Sequence, residues 1–303
     1  LSLRELKQNR QANLDKIAED FKKQAKGQFN SEGYEDDRFW RPAVDKQGNG
    51  IATIRFLPAP DGEQSIVKIF RRSFQGPTGK YYINNCLTTL DKPDPVNDLN
   101  RKMVGKLKWE QVPEKIKEIV RERKRKTEYI SNIYVVDDPI NPDNNGKVFL
   151  LRYGPQLHGI IMEKMFPTFQ GETRINAFDM WGPDAKGEGG GANFKFKIYL
   201  KDKKYRNYEK SEFLERAPLF DSDEKLEEVY NQVYSLLPFL AEDQFKSYDY
   251  LKKKLDEVLG EGDTEVETPE FASAEAPSRP EAKPAWEGDD EINEDFFNDV
   301  DQD

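Results

Sequence analysis

The chain is poor in the side chains that catalysis and covalent cross-linking draw on. Among 303 residues it has one cysteine, Cys86, and one histidine, His158. No intrachain disulfide can form, and a lone thiol suits a reducing compartment. No apolar run of about 18 residues occurs, so a membrane-spanning helix is not expected. Residues 1–9 lack the apolar stretch of a secretory leader. No nucleophile elbow, phosphate-binding loop or paired-histidine zinc motif is present. His158 stands in an apolar stretch with Gly159, Ile160, Ile161 and Met162 and reads as a packing residue. Asp137 and Asp138 precede Pro139, where aspartate serves turns. An enzyme is therefore not expected.

What the chain has in quantity is charge. Charged residues make up 34% and hydrophobic residues 36%, a balance that points to a globular body beside segments unable to build a core. The net charge of −10 hides two parts of opposite sign. Residues 260–303 hold 16 acidic and 2 basic side chains, a net of −14, while the remainder holds 45 basic against 41 acidic, a net of +4. A mildly basic body thus carries a polyanionic tail.

Three sections follow along the chain. Residues 1–28 read as a helical arm for self-association. Ser2 with Glu5 matches a capping box, Gly27 supplies a stop, and Leu3, Leu6, Leu14, Ile17 and Phe21 recur at helical spacing. Arg4, Lys7 and Arg10 contribute to its net charge of +3.

Residues 29–260 read as a globular core. Strands are expected over 51–57, 81–83, 129–136, 148–153 and 193–201, punctuated by Gly, Pro and Asn turns. In the last of these, Phe194, Phe196, Ile198 and Leu200 alternate with Lys195, Lys197, Tyr199 and Lys201. Helices are expected over 109–126, 223–237 and 248–259, the last stopped by Gly260. Many short strands, few helices and no βαβ rhythm indicate an α+β fold on a small β-barrel.

Residues 261–303 place Pro269, Pro277, Pro280 and Pro284 among Glu, Ala and Ser, and are expected to be a disordered acidic tail. Its tip sets Ile292, Phe296, Phe297 and Val300 among acids, a composition suited to docking in basic, hydrophobic grooves of partner proteins.

Single-stranded nucleic acid is held by a positive groove and by aromatic faces on which bases stack, each stack contributing about 1–3 kcal/mol. Three segments carry both ingredients. Lys124, Arg125 and Lys126 lead into Tyr129; Tyr205, Arg206 and Tyr208 follow Lys201, Lys203 and Lys204; Arg152 adjoins Tyr153. One such segment alone is commonly a solvated charge run. Three within one barrel-like core point to single-stranded nucleic acid as ligand.

Across residues 45–260 the sequence resembles the single-stranded DNA-binding, or helix-destabilising, proteins of T-even-type bacteriophages. The matching stretches are collinear. They include Gly48-Asn49-Gly50, Arg55-Phe56-Leu57-Pro58, Lys124 to Thr127 with Tyr129, Asn132-Ile133, and Asp138-Pro139. Further along come Gly146 to Phe149, Arg152, Trp181, Gly191 to Phe194, Tyr205 to Tyr208, and Phe245 to Tyr248. The resemblance implies an OB-fold core with a DNA cleft, an arm for cooperative self-association, and a tail that recruits phage replication and recombination proteins in the host cytoplasm. It also implies that Arg55, Arg125 and Arg152 are cleft arginines, that Tyr129, Tyr205 and Tyr208 are cleft aromatics, and that Lys124 and Lys126 flank the site. Leu151 stands where a further cleft tyrosine is expected, which makes Tyr153 or Tyr199 the candidate replacement.

The resembled family holds a structural zinc through one histidine and three cysteines, the last two as Cys-x-x-Cys. Here Cys86 is retained, but the histidine position falls near Arg72 and the cysteine pair reads Asp94-Pro95-Val96-Asn97. No zinc or other cofactor is therefore expected in the subdomain around 70–126. Two rival classes, an OB-fold nucleic-acid enzyme fragment and an acidic DNA mimic, lack support from a rigid carboxylate cluster and from the charge of the body, respectively.

Overall fold

The computed structural model describes residues 36–201 and 205–260; the Tyr205 side chain is outside that description. The expected arm with Arg4, Lys7 and Arg10, and the tail with Ile292, Phe296, Phe297 and Val300, lie outside the described residues.

From Phe39 onward the described chain is a mixed helix and sheet fold. The strands are β1 (Gly50–Leu57), β2 (Val67–Gln75), β3 (Tyr81–Asn85), β4 (Lys126–Asp137), β5 (Val148–Tyr153), β6 (Ala192–Lys201), β7 (Tyr205–Asn207) and β8 (Glu212–Arg216). The helices are α1 (Pro95–Val104), α2 (Glu114–Glu122), α3 (Pro155–Met165), α4 (Asp223–Tyr230) and α5 (Tyr248–Leu259).

Every named strand pair is antiparallel, and the sheet runs β3-β2-β4-β1-β6-β7, with β5 added to β4 and β8 to β6. The long β4 organises it: one edge meets β2 through residues 126–130 and β1 through 132–137, and the other meets β5. The α+β class holds, and the expected small β-barrel is corrected to an antiparallel sheet that does not close. Among the described residues no pairing joins β5 or β3 to the far edge, so the sheet is open.

The main core fills the concavity between β1, β4, β5, β6 and α3. Alternation along β6 sends Phe194, Phe196 and Ile198 inward, where they meet Ile54, Phe56, Ile133, Val135, Leu157 and Ile161. A second core joins the β2–β3 hairpin to α1 and α5 through Phe74, Tyr82, Leu87, Val96, Leu251, Leu255 and Val258. Ser247 caps α5 by accepting from the Tyr250 amide, and Gly260 ends it at φ 80°, a left-handed conformation open to glycine.

Several expected boundaries shift. Pro113 precedes α2 and fixes its start at Glu114, so the helix expected over 109–126 is a 3-10 turn followed by a shorter helix. It ends at Glu122, and Lys126 already belongs to β4. The helix expected over 223–237 ends at Tyr230. β2, α1 and α3 are elements the sequence reading did not separate.

Candidate nucleic-acid interface

The two faces of the β2–β4–β5 region carry different chemistry. In β4, residues 127, 129, 131 and 133 face the main core and α3, and residues 126, 128 and 130 face the opposite side. The register places Lys68 of β2 and Tyr153 of β5 on either side of Tyr129. These three share the α3 side.

On that side cations and rings form a continuous row. The Arg125 guanidinium lies 3.9 Å from the Phe70 ring centroid and donates to the Thr88 hydroxyl at 3.2 Å. Lys68 Nζ sits 4.8 Å from the same ring. Tyr129 follows, stacked on His158 at 3.7 Å and 9° and on Tyr153 at 5.7 Å and 22°. Tyr153 is buried, its hydroxyl paired with that of Ser131 at 3.0 Å, so it forms the floor and leaves Tyr129 as the more accessible ring.

The first turn of α3 links this row to the other basic segment. Gln156 Oε1 accepts from the Tyr208 amide at 3.1 Å, and Gln156 Nε2 donates to Asn207 Oδ1 at 3.3 Å. Two residues on, His158 touches Tyr129. One helical turn therefore connects Tyr129 with Tyr208, which packs on Phe196 at 5.4 Å. Arg206 is exposed on β7, and Tyr205 opens that strand opposite Lys201, its side chain outside the described residues. Tyr199 donates to the Glu209 carboxylate, and that bond raises its pKa to about 12. Lys210 lies 4.4 Å from its ring.

The remaining expected residues stand elsewhere. Arg152 and Lys126 point to the opposite side of the sheet; Arg152 pairs with Glu128 at 3.2 Å and lies 4.8 Å from the Phe39 ring. Lys124 is half-buried in the turn between α2 and β4. Arg55 has no exposed surface and donates to the Ala217 carbonyl. Burial lowers its pKa to about 10, against the opposing charge of Asp179, so it remains a cation at neutral pH. Gly191 permits this arrangement: a Cβ there would stand 1.9 Å from the Asp179 carbonyl oxygen and 2.7 Å from Arg55 Nη1. The sequence reading passed over Lys68, Phe70 and Gln156 and left His158 as packing. The local signal for the first two was the alternation of Val67 and Ile69 with Lys68 and Phe70.

Residues 48–259 match the family model described as gp32 DNA binding protein like. The chain belongs to the gp32-like family. It is 32% identical over 287 residues to the single-stranded DNA-binding protein of Enterobacteria phage T2, covering 90% of this chain and 83% of that protein. The single-stranded DNA-binding protein of Enterobacteria phage T4 is 32% identical over 231 residues, covering 75% of this chain and 71% of that protein. A shorter match, 42% over 64 residues, joins 21% of the chain to 54% of the single-stranded DNA-binding protein of Escherichia phage SV14. The gp32-like family is one of binding proteins and not of enzymes. Among the described residues no helix is long and apolar enough to cross a membrane.

The Tyr129–His158 stack gives this gp32-like chain a pH signature. Burial lowers the His158 pKa from its ordinary 6.5, and the Lys68 charge adds to the effect. The unfolded chain then takes a proton that the fold refuses, so this contribution to stability is present above about pH 6.5 and is lost as pH falls through the folded value. NMR should show the chain's single imidazole titrating with a midpoint below 6.5. A midpoint at or above it would mean that the ring is solvated and not seated on Tyr129.

Proposed function

We propose that the chain coats single-stranded DNA without sequence preference during phage replication, recombination and repair in the infected host's cytoplasm. The observation that carries this reading is the row Arg125, Phe70, Lys68, Tyr129 and His158, joined through Gln156 to Tyr208. Cations there neutralise phosphates and release counterions, while rings accept bases. We read the core, residues 29–260, as an OB-type fold left open along one edge. Lys124 and Arg206 are assigned to phosphates beside the row, Lys126 and Arg152, on the opposite side of the sheet, to phosphates of a strand that leaves it, and Tyr205 to a second stacking ring. Tyr153 serves as floor. Arg55, being buried, is assigned to holding the wall formed by residues 179–191 and 217. The arm, residues 1–28, is assigned to self-association through Arg4, Lys7 and Arg10. The tail, residues 261–303, is assigned to recruiting replication proteins through Ile292, Phe296, Phe297 and Val300. Binding is expected to need no metal or other cofactor.

The tail also competes with DNA. Its net charge of −14, counted from Gly260, matches the sign of a phosphate chain, and the rest of the chain is net +4. Fluorescence titration with oligo-dT across a salt series tests both statements. With about 3–5 phosphates neutralised, the log–log salt slope should be roughly −2 to −3.5. Deleting residues 261–303 should tighten binding at low salt and leave high-salt affinity nearly unchanged, because charge competition is screened. Absence of oligo-dT binding would refute the function; equal low-salt affinity with and without the tail would refute the competition.

A further inference from the structure

Apart from the nucleic-acid row and the buried Arg55, the described residues hold a buried ion pair in the subdomain where the resembled family implies zinc. Arg72 of β2 and Asp94, the N-cap of α1, both have about 1% of their side-chain surface exposed, and Arg72 Nε is 3.5 Å from Asp94 Oδ1. The other guanidinium nitrogens donate to the Asn97 side-chain oxygen and to the Arg123 carbonyl. Asp94 Oδ2 accepts from Cys86 Sγ at 3.1 Å and from the Leu87 amide at 3.2 Å, and its Oδ1 accepts from the Val96 amide at 3.1 Å.

These residues do not fit a zinc ion. Zinc requires four groups that each offer a lone pair, usually thiolate or imidazole. Here one of the four positions is a guanidinium, which carries five donors, no acceptor and a permanent positive charge. That cation already engages the carboxylate and the amide oxygen that would otherwise be ligands. The one thiol spends its proton on Asp94. Among the described residues no cluster of three or more His, Cys, Asp and Glu is arranged for a metal.

We propose that Arg72 is an internal structural cation which replaces a metal centre and positions the basic segment of the DNA trough. Its planar fan ties together β2, the N-terminus of α1 and the α2–β4 junction. Arg123, whose carbonyl it holds, is followed directly by Lys124 and Arg125, and Arg125 packs on Phe70 in the interface row. A single ammonium on a flexible stem lacks the spread needed to donate to the Asn97 oxygen and the Arg123 carbonyl while staying paired with the Asp94 carboxylate. Asp94 supplies the matching negative charge, so the centre is neutral as a unit and unlike an isolated buried cation. Arg72 touches no phosphate; it is a positioning residue, and its role rests on the single-stranded DNA reading.

The test uses the full chain, with oligo-dT as probe. The unaltered protein should contain no stoichiometric zinc, and its melting temperature and oligo-dT affinity should be unchanged by EDTA. Cys86→Ser keeps a donor for Asp94 and should bind oligo-dT as the parent does. Arg72→Lys keeps the charge and loses the fan. It should remain folded, melt at a lower temperature, and show a salt slope shallower by about 1.4, from two phosphate contacts at ~0.7 each, as Lys124 and Arg125 lose their anchor. The slope separates displaced cations from a merely destabilised protein, which would bind with the parent's slope and a reduced active fraction. One tightly held zinc per chain, an EDTA-sensitive melt, a Cys86→Ser defect equal to that of Arg72→Lys, or a parental slope in folded Arg72→Lys would each overturn the proposal. Absence of oligo-dT binding in the unaltered chain would instead sink the functional reading, leaving zinc content and melting to judge the centre.

Discussion

Replacing both Tyr129 and Tyr208 by alanine should lower affinity for oligo-dT by about 2–6 kcal/mol, taking ~1–3 kcal/mol for each stacked base. The two residues come from different parts of the chain and share a support, the first turn of α3, where His158 stacks on the Tyr129 ring and Gln156 accepts from the Tyr208 amide. Neither is chiefly a core residue, as each is only half-buried. The variant should therefore fold, which the denaturant midpoint checks. Tyr129→Phe with Tyr208→Phe keeps both rings and should keep most of the affinity, since stacking uses the π face and not the hydroxyl. The single substitutions should combine with a coupling energy, because His158 and Gln156 lie within one helical turn and a shift at one end moves the other. A folded double-alanine variant with parental affinity would show that bases stack elsewhere, and the row from Arg125 to Tyr208 would lose its meaning as an interface.

How far the sequence reveals this arrangement depends on whether the determining contacts are local. The strand at 193–201 is legible because alternation is a property of neighbours: Phe194, Phe196 and Ile198 can be buried together only if the chain is extended. The stop at Gly260 is legible for the same reason. The start of α2 is also written locally, in Pro113, and a reading that follows charge from 109 to 126 passes over it. α1 carries a clear start signal, Asp94 as N-cap with Pro95 at the first helical position. Read against the resembled family, however, those residues mark a missing cysteine pair, and the helix is lost from view. β2 escapes because Arg71 and Arg72 interrupt its apolar pattern, and the burial of Arg72 depends on Asp94, Asn97 and Arg123, all distant in sequence.

Whether the sheet closes is set by which edges meet, and no local pattern encodes that. The site divides along the same line. Its residue types and basic segments are legible, as is Tyr129 beside a cationic run. That Arg152 faces away from Tyr129 follows from strand parity once Tyr153 is paired with Tyr129, but the pairing itself is a tertiary fact. Arg55 is the strongest case, since its neighbours Ile54 and Phe56 are also fully buried and nothing nearby distinguishes a cleft arginine from an interior one.

Phe56→Ala should cost about 3–5 kcal/mol of stability, the loss of a buried aromatic ring with incomplete collapse around the cavity. Phe56 has no exposed surface, and its ring centroid lies 5.6 Å from Phe194, 5.8 Å from Phe178, 6.1 Å from Tyr153 and 6.2 Å from Phe213. Those partners belong to β6, β5, β8 and the loop before β6, so no single side-chain movement can fill the gap. The denaturant midpoint should fall with an unchanged slope, and a loss below about 1 kcal/mol would mean the interior rearranges more freely than close packing allows. The consequence for binding runs through Tyr153, which touches Phe56 on one side and Tyr129 on the other. At an oligo-dT concentration about 100 times the parental Kd, DNA should add about 2.7 kcal/mol to the parent's stability. The variant should gain less at that same concentration, because the floor beneath Tyr129 has lost its backing. An equal gain would show that His158 alone seats Tyr129 and that the trough is mechanically independent of the core.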